Sequence, residues 1–395
     1  MSGFDHRDRA AIVGIGQTEF SKASGRSELS LATEACVAAL EDAGLDPADV
    51  DGLVRCDHDH VTEGALADAL GVRDLTYWGQ TGPGGVAPAA MVGQAMGAVL
   101  SGQAETVVVY RALNGRSGVR FGQGHGLDLD ARVGGGTSYD EFFLPYGLTS
   151  PGQFFAMIAQ RYEIEHGLRH ETLSRLAVTC RQHANANPAA TFSDRPLTLE
   201  EAEQARVISA PLRLFDFCLE TDGACAVVVT SAERAKDLRQ PPAMIRAVAQ
   251  SSGPRIQPGM MFGALLRDSI TSLTSRTNAA TLYRRAGLGP QDIDVAQLYD
   301  CFTITMLLQY PDYGFCAPDE VNDFVADGNA GLGGAVPSNT AGGNLSEGYI
   351  HGMNHVLEGV RQIRGTSTSQ VEGAEVALVT SAPPPGTSAL ILVKA

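Results

Sequence analysis

The tetrapeptide Tyr299-Asp300-Cys301-Phe302 ends a short apolar run, Val295–Leu298, and gathers a phenol, a carboxylate and a thiol at one strand end. A phenol there can move a proton, although an ordinary pKa of about 10 means that it needs a neighbouring donor to act as a base near neutrality. The thiol would attack an acyl carbon only as a thiolate, and a cysteine behind an apolar strand packs readily as a small hydrophobe. Two histidine-bearing stretches carry metal-ligand side chains: Asp57-His58-Asp59-His60, and His351 with His355 one helical turn later. A metal needs three or four convergent ligands, and polar loops plus a helix start account for both stretches, so no metal site is expected.

Other chemistries are excluded by what is missing. There is no G-x-x-x-x-G-K-[ST] loop and no G-x-S-x-G elbow. The only lysines are Lys22, Lys236 and Lys394, in a polar loop, a charged run and beside the C-terminus, which are poor places for an imine-forming amine. Gly14-Ile15-Gly16 begins like a dinucleotide loop, but Glu19 stands at the third glycine position and would repel a pyrophosphate. The net charge of −16 opposes nucleic-acid binding, which requires a basic face. Seven cysteines without a C-x-x-C pair suggest neither a disulfide framework nor a zinc ribbon, and a reducing, cytoplasmic compartment is expected. The N-terminus shows no secretory pattern. The apolar tract around Ala87–Leu100 is broken by Gln94 and glycines and reads as a buried helix instead of a membrane span.

The elements that must position these residues form a repeat. Ala286-Gly287-Leu288-Gly289-Pro290-Gln291-Asp292-Ile293-Asp294 echoes Ala43-Gly44-Leu45-Asp46-Pro47-Ala48-Asp49-Val50-Asp51 at an offset of 243 residues, which sets Tyr299 opposite Cys56 and Asp300 opposite Asp57. Strands are expected at 10–15, 106–111, 224–230, 243–250, 295–298, 375–380 and 388–393. Helices are expected at 30–43, 88–100, 172–185, 277–286 and 353–364. Residues of about 114–210 loosen into a Gly-, aromatic- and Arg-rich insertion, whose Arg116, Arg120 and Arg132 are open to solvent or to phosphates. The chain thus divides into an N-terminal half, 1–240, and a C-terminal half, 241–395, in a duplicated α/β fold.

The duplicated halves, the Gly82-Pro83-Gly84-Gly85 turn before a small-residue helix, the insertion and the glycine-rich C-terminal loop resemble the thiolase superfamily over essentially the whole chain. Tyr299-Asp300-Cys301-Phe302 resembles the His-Asp-Cys-Phe block of the sterol-carrier-protein thiolases. Gly348-Tyr349-Ile350-His351-Gly352 stands where thiolases carry Gly-His-Pro-x-Gly. At the position of the thiolase nucleophile this chain has Gly84-Gly85-Val86, and at that of the second cysteine it has Ser381-Ala382-Pro383-Pro384-Pro385-Gly386. With the cysteines lost and both histidines replaced by tyrosines, the pattern resembles the thiolase-like, lipid-transfer-protein-type aldolases of bacterial steroid side-chain degradation.

That resemblance implies a layered αβαβα fold and retro-aldol cleavage of a β-hydroxyacyl-CoA. The implied substrate is a 17-hydroxy steroid C22-CoA, yielding a 17-ketosteroid and propionyl-CoA. It also implies Tyr299 and Tyr349 as the acid/base pair, with Gly85, Gly343, His351 and Cys301 on the substrate side. No cofactor is expected beyond the CoA of the substrate. A homodimer joined through the edge of a central sheet is implied, and so is a small OB-fold and zinc-ribbon partner forming a hetero-oligomer. Two other readings remain open: a thiolase or acyltransferase working through Cys301 or another cysteine, and a scaffold that binds acyl-CoA or lipid without turnover.

Overall fold

The computed structural model describes residues 5–118, 120, 143–253, 269–381 and 386–395. Arg132 and the Ala382–Pro385 stretch lie outside them. The strands are β1 (Ala10–Gln17), β2 (Gly52–Cys56), β3 (Tyr77–Thr81), β4 (Thr106–Asn114), β5 (Val207–Ser209), β6 (Leu212–Arg213), β7 (Asp222–Ser231), β8 (Ala243–Ser251), β9 (Val295–Gln297), β10 (Val376–Thr380) and β11 (Thr387–Lys394). Nine of them form one sheet in the order β3-β2-β4-β7-β1-β8-β11-β10-β9, and β5 pairs with β6 alone.

The duplication is visible in this order. Outward from the β1/β8 seam, β1-β7-β4-β2 corresponds to β8-β11-β10-β9, with β3 added at one edge. Equivalent hydrogen bonds recur as well. Asp51 accepts from the Glu105 and Thr106 amides in the first half, and Asp294 accepts from Glu375 and Val376 in the second. Each carboxylate ties the turn before β2 or β9 to the start of a neighbouring strand, so the repeat preserves a tertiary clamp.

The seam is narrow. β1 and β8 are in register only at Ala11–Met244 and Ile12–Ala243, while β1 runs alongside β7 from Ala10 to Gln17. The Ala87–Leu100 helix touches β2, β4 and β7 of the first half and β8 and β11 of the second, and the Met353–Arg364 helix also touches strands of both. These two helices are therefore the middle layer of five. Met91, Val92 and Ala95 meet Met353, Val356 and Val360 there, between Val107 and Val227 on one side and Val379 and Leu390 on the other. Small residues permit this close approach: a Cβ at Gly93 would lie 2.7 Å from a Val248 methyl. The Glu28–Ala43 and Thr274–Ala286 helices cover the outer faces, where Leu31, Cys36 and Leu40, and Ala279 and Leu282, are buried. The expected αβαβα layering is thus present.

The expected elements recur with shifted ends, but some were missed. In the insertion, a Pro151–His166 helix precedes the expected one, which runs His170–Ala186. Its signal was present: Pro151 opens the helix, the Gln153 side chain accepts from the Ser150 amide, and Phe154, Phe155, Ile158 and Tyr162 share a buried face. Among the described residues no helix is long and apolar enough to cross a membrane.

Candidate active site

Both tyrosines are buried, Tyr299 at 2 % and Tyr349 at 8 % exposure, and their hydroxyls lie 3.2 Å apart. Each backbone is fixed by a threonine from another segment. The Tyr299 amide donates to Thr380 Oγ1 of β10 (2.9 Å), Gln309 Nε2 donates to the Tyr299 carbonyl (2.8 Å), and Thr380 donates to Gln309 Oε1 (2.5 Å), which closes a ring of three bonds. The Tyr349 amide donates to Thr221 Oγ1 (2.8 Å), just before β7. The backbones of the pair are thus held by groups from both halves of the chain.

The loop carrying Tyr349 is shaped to reach Tyr299. His351 has φ 49° and Gly352 φ 83°. A Cβ at Gly352 would fall 2.8 Å from Tyr299 Cδ2, so glycine is required there for backbone conformation and for space alike. The His351 ring meets the Tyr349 ring edge-on, with centroids 4.8 Å apart. Burial, helped by Arg111 and His58, holds His351 well below the usual imidazole pKa, so it is a neutral ring at physiological pH.

Asp300 sits beneath the pair as an anchor. It is completely buried and accepts from the Asn344 amide (2.8 Å), the Leu345 amide (3.3 Å) and His355 Nε2 (3.0 Å). A Cβ at Gly343 would lie 2.2 Å from its carboxylate, so Gly343 is pressed against Asp300. The Cys301 thiol is buried, lies 3.8 Å from Thr305 Oγ1, and is pushed far above the thiolate range by burial. That environment suits packing and disfavours a nucleophile. Gly85 is half-buried in the turn that opens the Ala87–Leu100 helix.

The candidate metal ligands disperse. Asp59 turns to Arg111 (3.5 Å), His60 to Glu28 (2.8 Å) and His355 to Asp300. Cys56, Asp57 and His58 remain close together, with burial pushing the Cys56 thiol up to about 12. Three consecutive residues with a protonated thiol make a poor chelate. Of the insertion arginines, Arg120 is bonded through Nε to Glu220 (2.6 Å). Sequence reasoning missed Thr221, Thr380 and Gln309 as parts of the site. Asp300 and His355 were in view but not assigned to it. For Asp300 the repeat was the available signal, because it aligns with Asp57, which also contacts a histidine, His58, at 2.5 Å.

Glu347, two residues before Tyr349, is a second buried carboxyl. It accepts from Asn354 Nδ2 (2.9 Å) and lies 3.7 Å from Arg361. Burial pushes its pKa from 4.5 up to about 7, against the opposing pull of Arg361. The folded chain therefore holds this proton more tightly than the unfolded chain. The resulting stability is fully present below the unfolded pKa and is lost as pH rises towards about 7. Glu347→Gln should flatten the fall in stability over that window when chemical denaturation is repeated across it. An unchanged pH dependence would remove Glu347 as the source.

The family is recorded independently in comparisons with known proteins. Residues 265–394 match the thiolase C-terminal domain-like family model. The chain is 48 % identical to a steroid side-chain-cleaving aldolase of Thermomonospora curvata, with 97 % of each chain covered. It is 46 % identical to the 17-hydroxy-3-oxo-4-pregnene-20-carboxyl-CoA lyase of Mycobacterium tuberculosis, covering 97 % of this chain and 99 % of that one. The solved Ltp2-ChsH2(DUF35) aldolase superposes with a TM-score of 0.92 at 46 % identity, over 99 % of both chains. These relatives define a class of carbon–carbon lyases built on the thiolase fold. The chain belongs to the steroid side-chain-cleaving aldolases of the thiolase superfamily.

Proposed function

We propose that Tyr299 and Tyr349 form the acid/base pair of a retro-aldol cleavage that converts a 17-hydroxy steroid C22-CoA into a 17-ketosteroid and propionyl-CoA. The observation that carries this reading is the direct contact of the two hydroxyls, 3.2 Å apart, in a buried site without a thiolate. One phenolate takes the proton from the ring hydroxyl. The carbonyl then forms as the bond to the thioester α-carbon breaks, leaving its electrons as the enolate of propionyl-CoA. The other phenol protonates that α-carbon. The net transfer moves one proton from oxygen to carbon, and a direct contact between the hydroxyls lets the pair return to its starting state. No cofactor takes part, since the thioester itself delocalises the charge. Neutral His351 beside Tyr349 is able to accept a hydrogen bond but not to supply a cation.

The test is incubation of the chain, with its co-purifying small partner, with a 17-hydroxy steroid C22 acyl-CoA, followed by mass spectrometry. Appearance of the ketosteroid and propionyl-CoA together supports the reading. Binding of the ester without either product favours the scaffold. Thiol alkylation separates the remaining alternative, because it should stop a Cys301-dependent acyl transfer and leave the aldolase nearly untouched.

The same reading includes assembly, in the compartment that free thiols suit, the cytoplasm: all seven cysteines are unbridged. A small OB-fold and zinc-ribbon partner of the DUF35 type would complete a hetero-oligomer around a homodimer. The dimer would form across β3, an edge strand whose Trp78 is 63 % exposed. An open edge with a large apolar side chain invites a second strand. Trp78→Glu should therefore shift the protein from dimer to monomer in sedimentation velocity. A monomeric wild type, or a variant that stays dimeric, would remove β3 from the interface.

A further inference from the structure

Arg111 is completely buried in the middle of a strand, where an unsatisfied cation is costly. Inward and outward positions alternate along β4. Val107 and Val109 enter the central core, while Val108, Tyr110 and Ala112 face the outer one. Arg111 is the next inward position, at the mouth of the central layer. Its Nη1 donates to the Gly84 carbonyl (2.8 Å), and its Nε lies 3.5 Å from Asp59, too far for a good hydrogen bond. Nε and Nη2 make no hydrogen bond among the described residues. Contacts lead from Gly84 towards the reacting pair: a Cβ there would be 3.8 Å from the His351 ring, which packs on Tyr349, whose hydroxyl meets that of Tyr299.

Building on the acid/base reading above, we propose that Arg111 is the positioning cation of the tyrosine pair. It holds the Gly84 turn and supplies the positive charge against which one phenol ionises. Apart from the hydrogen bond between the two hydroxyls, the other groups around the pair give little help. Cys301 and Cys218 are thiols whose ionisation would oppose a phenolate, Asp300 is the next residue after Tyr299, and the His355 ring, 6.4 Å from Tyr299, is bonded to Asp300. Burial drives both phenols well above their usual pKa; on Tyr299 the hydrogen bond with Tyr349 opposes that rise most, and the Arg111 charge acts in the same direction. An arginine suits this place because it stays protonated when buried.

The experiment compares wild type, Arg111→Lys, Arg111→Met and the doubly neutral Arg111→Met/Asp59→Asn, which leaves no lone buried carboxylate if the single variant folds poorly. Turnover would be followed against pH with the partner present, alongside ultraviolet titration of tyrosinate in the free protein. The expected result is that the ascending limb of turnover moves up by about one pH unit or more without Arg111, costing about tenfold at neutrality. Lysine should restore most of the limb, and the tyrosinate step that Tyr299→Phe removes from the titration should move with it. A uniform loss at every pH with the limb unmoved would make Arg111 only a structural brace, and unchanged kinetics would remove it altogether. If Tyr299→Phe and Tyr349→Phe stay active in the same assay, the acid/base reading itself fails, an outcome separate from either Arg111 result.

Discussion

Tyr299→Phe and Tyr349→Phe should each lower aldolase turnover by about 10²- to 10⁴-fold, the usual contribution of a positioned acid or base. Either substitution removes one oxygen from a buried pair and leaves the ring, so packing changes little. Tyr299 Cδ2 would still press on Gly352, and the backbone clamps through Thr380, Gln309 and Thr221 would remain. The loss should therefore fall on turnover more than on folding. The orphaned partner hydroxyl costs about 1–3 kcal/mol of stability at most. Circular dichroism and melting of each variant would verify the fold, and product formation under saturating ester would measure the chemistry. A variant within a few-fold of wild type would exclude that tyrosine as acid or base. The double variant should lose hardly more than the worse single one, because the two phenols act as one unit.

The largest structural effect is expected at Asp300. Asp300→Ala removes the acceptor for two backbone amides and for His355 Nε2 inside a fully buried site. Breaking such a network without replacing its partners costs roughly 3–5 kcal/mol. The short Gly343–Ser346 helix would lose its N-terminal anchor, and the Met353–Arg364 helix its tie to the strand end that carries Tyr299. Denaturant unfolding should show the loss. Turnover should fall as well, since the Tyr349 loop runs between those two helices. Asp300→Asn keeps the shape but turns an amide group towards donors, so it should be intermediate. Stability unchanged in Asp300→Ala would mean that this carboxylate organises nothing.

Much of this was legible in one dimension. The repeat between 43–51 and 286–294 appears in three dimensions as paired Asp51 and Asp294 clamps, because the same turn must be tied to the same neighbouring strand in each half. The Ala- and Gly-rich 87–100 stretch implied close packing, and it lies in the middle layer of five. Boundaries moved by a few residues where caps extend helices, as Ser27 does by accepting from the Ser30 amide. The Pro151–His166 helix was lost among aromatic residues although its spacing was helical.

By itself, the amino-acid sequence determined the α/β duplication and the types of group available: two tyrosines in the C-terminal half, one at a strand end and one in a glycine-rich loop. These follow from local periodicity and chain-order repetition, which need no knowledge of distant contacts. Only the tertiary structure decided that the two phenols, fifty residues apart, touch at 3.2 Å, that Asp300 is an anchor, and that Arg111 of β4 holds the Gly84 carbonyl in the turn beside His351. Those placements depend on the sheet folding at its two-pair seam so that both halves enclose the central helices. Such a fold is set by the sum of many non-local strand pairings, and no single stretch of residues records it.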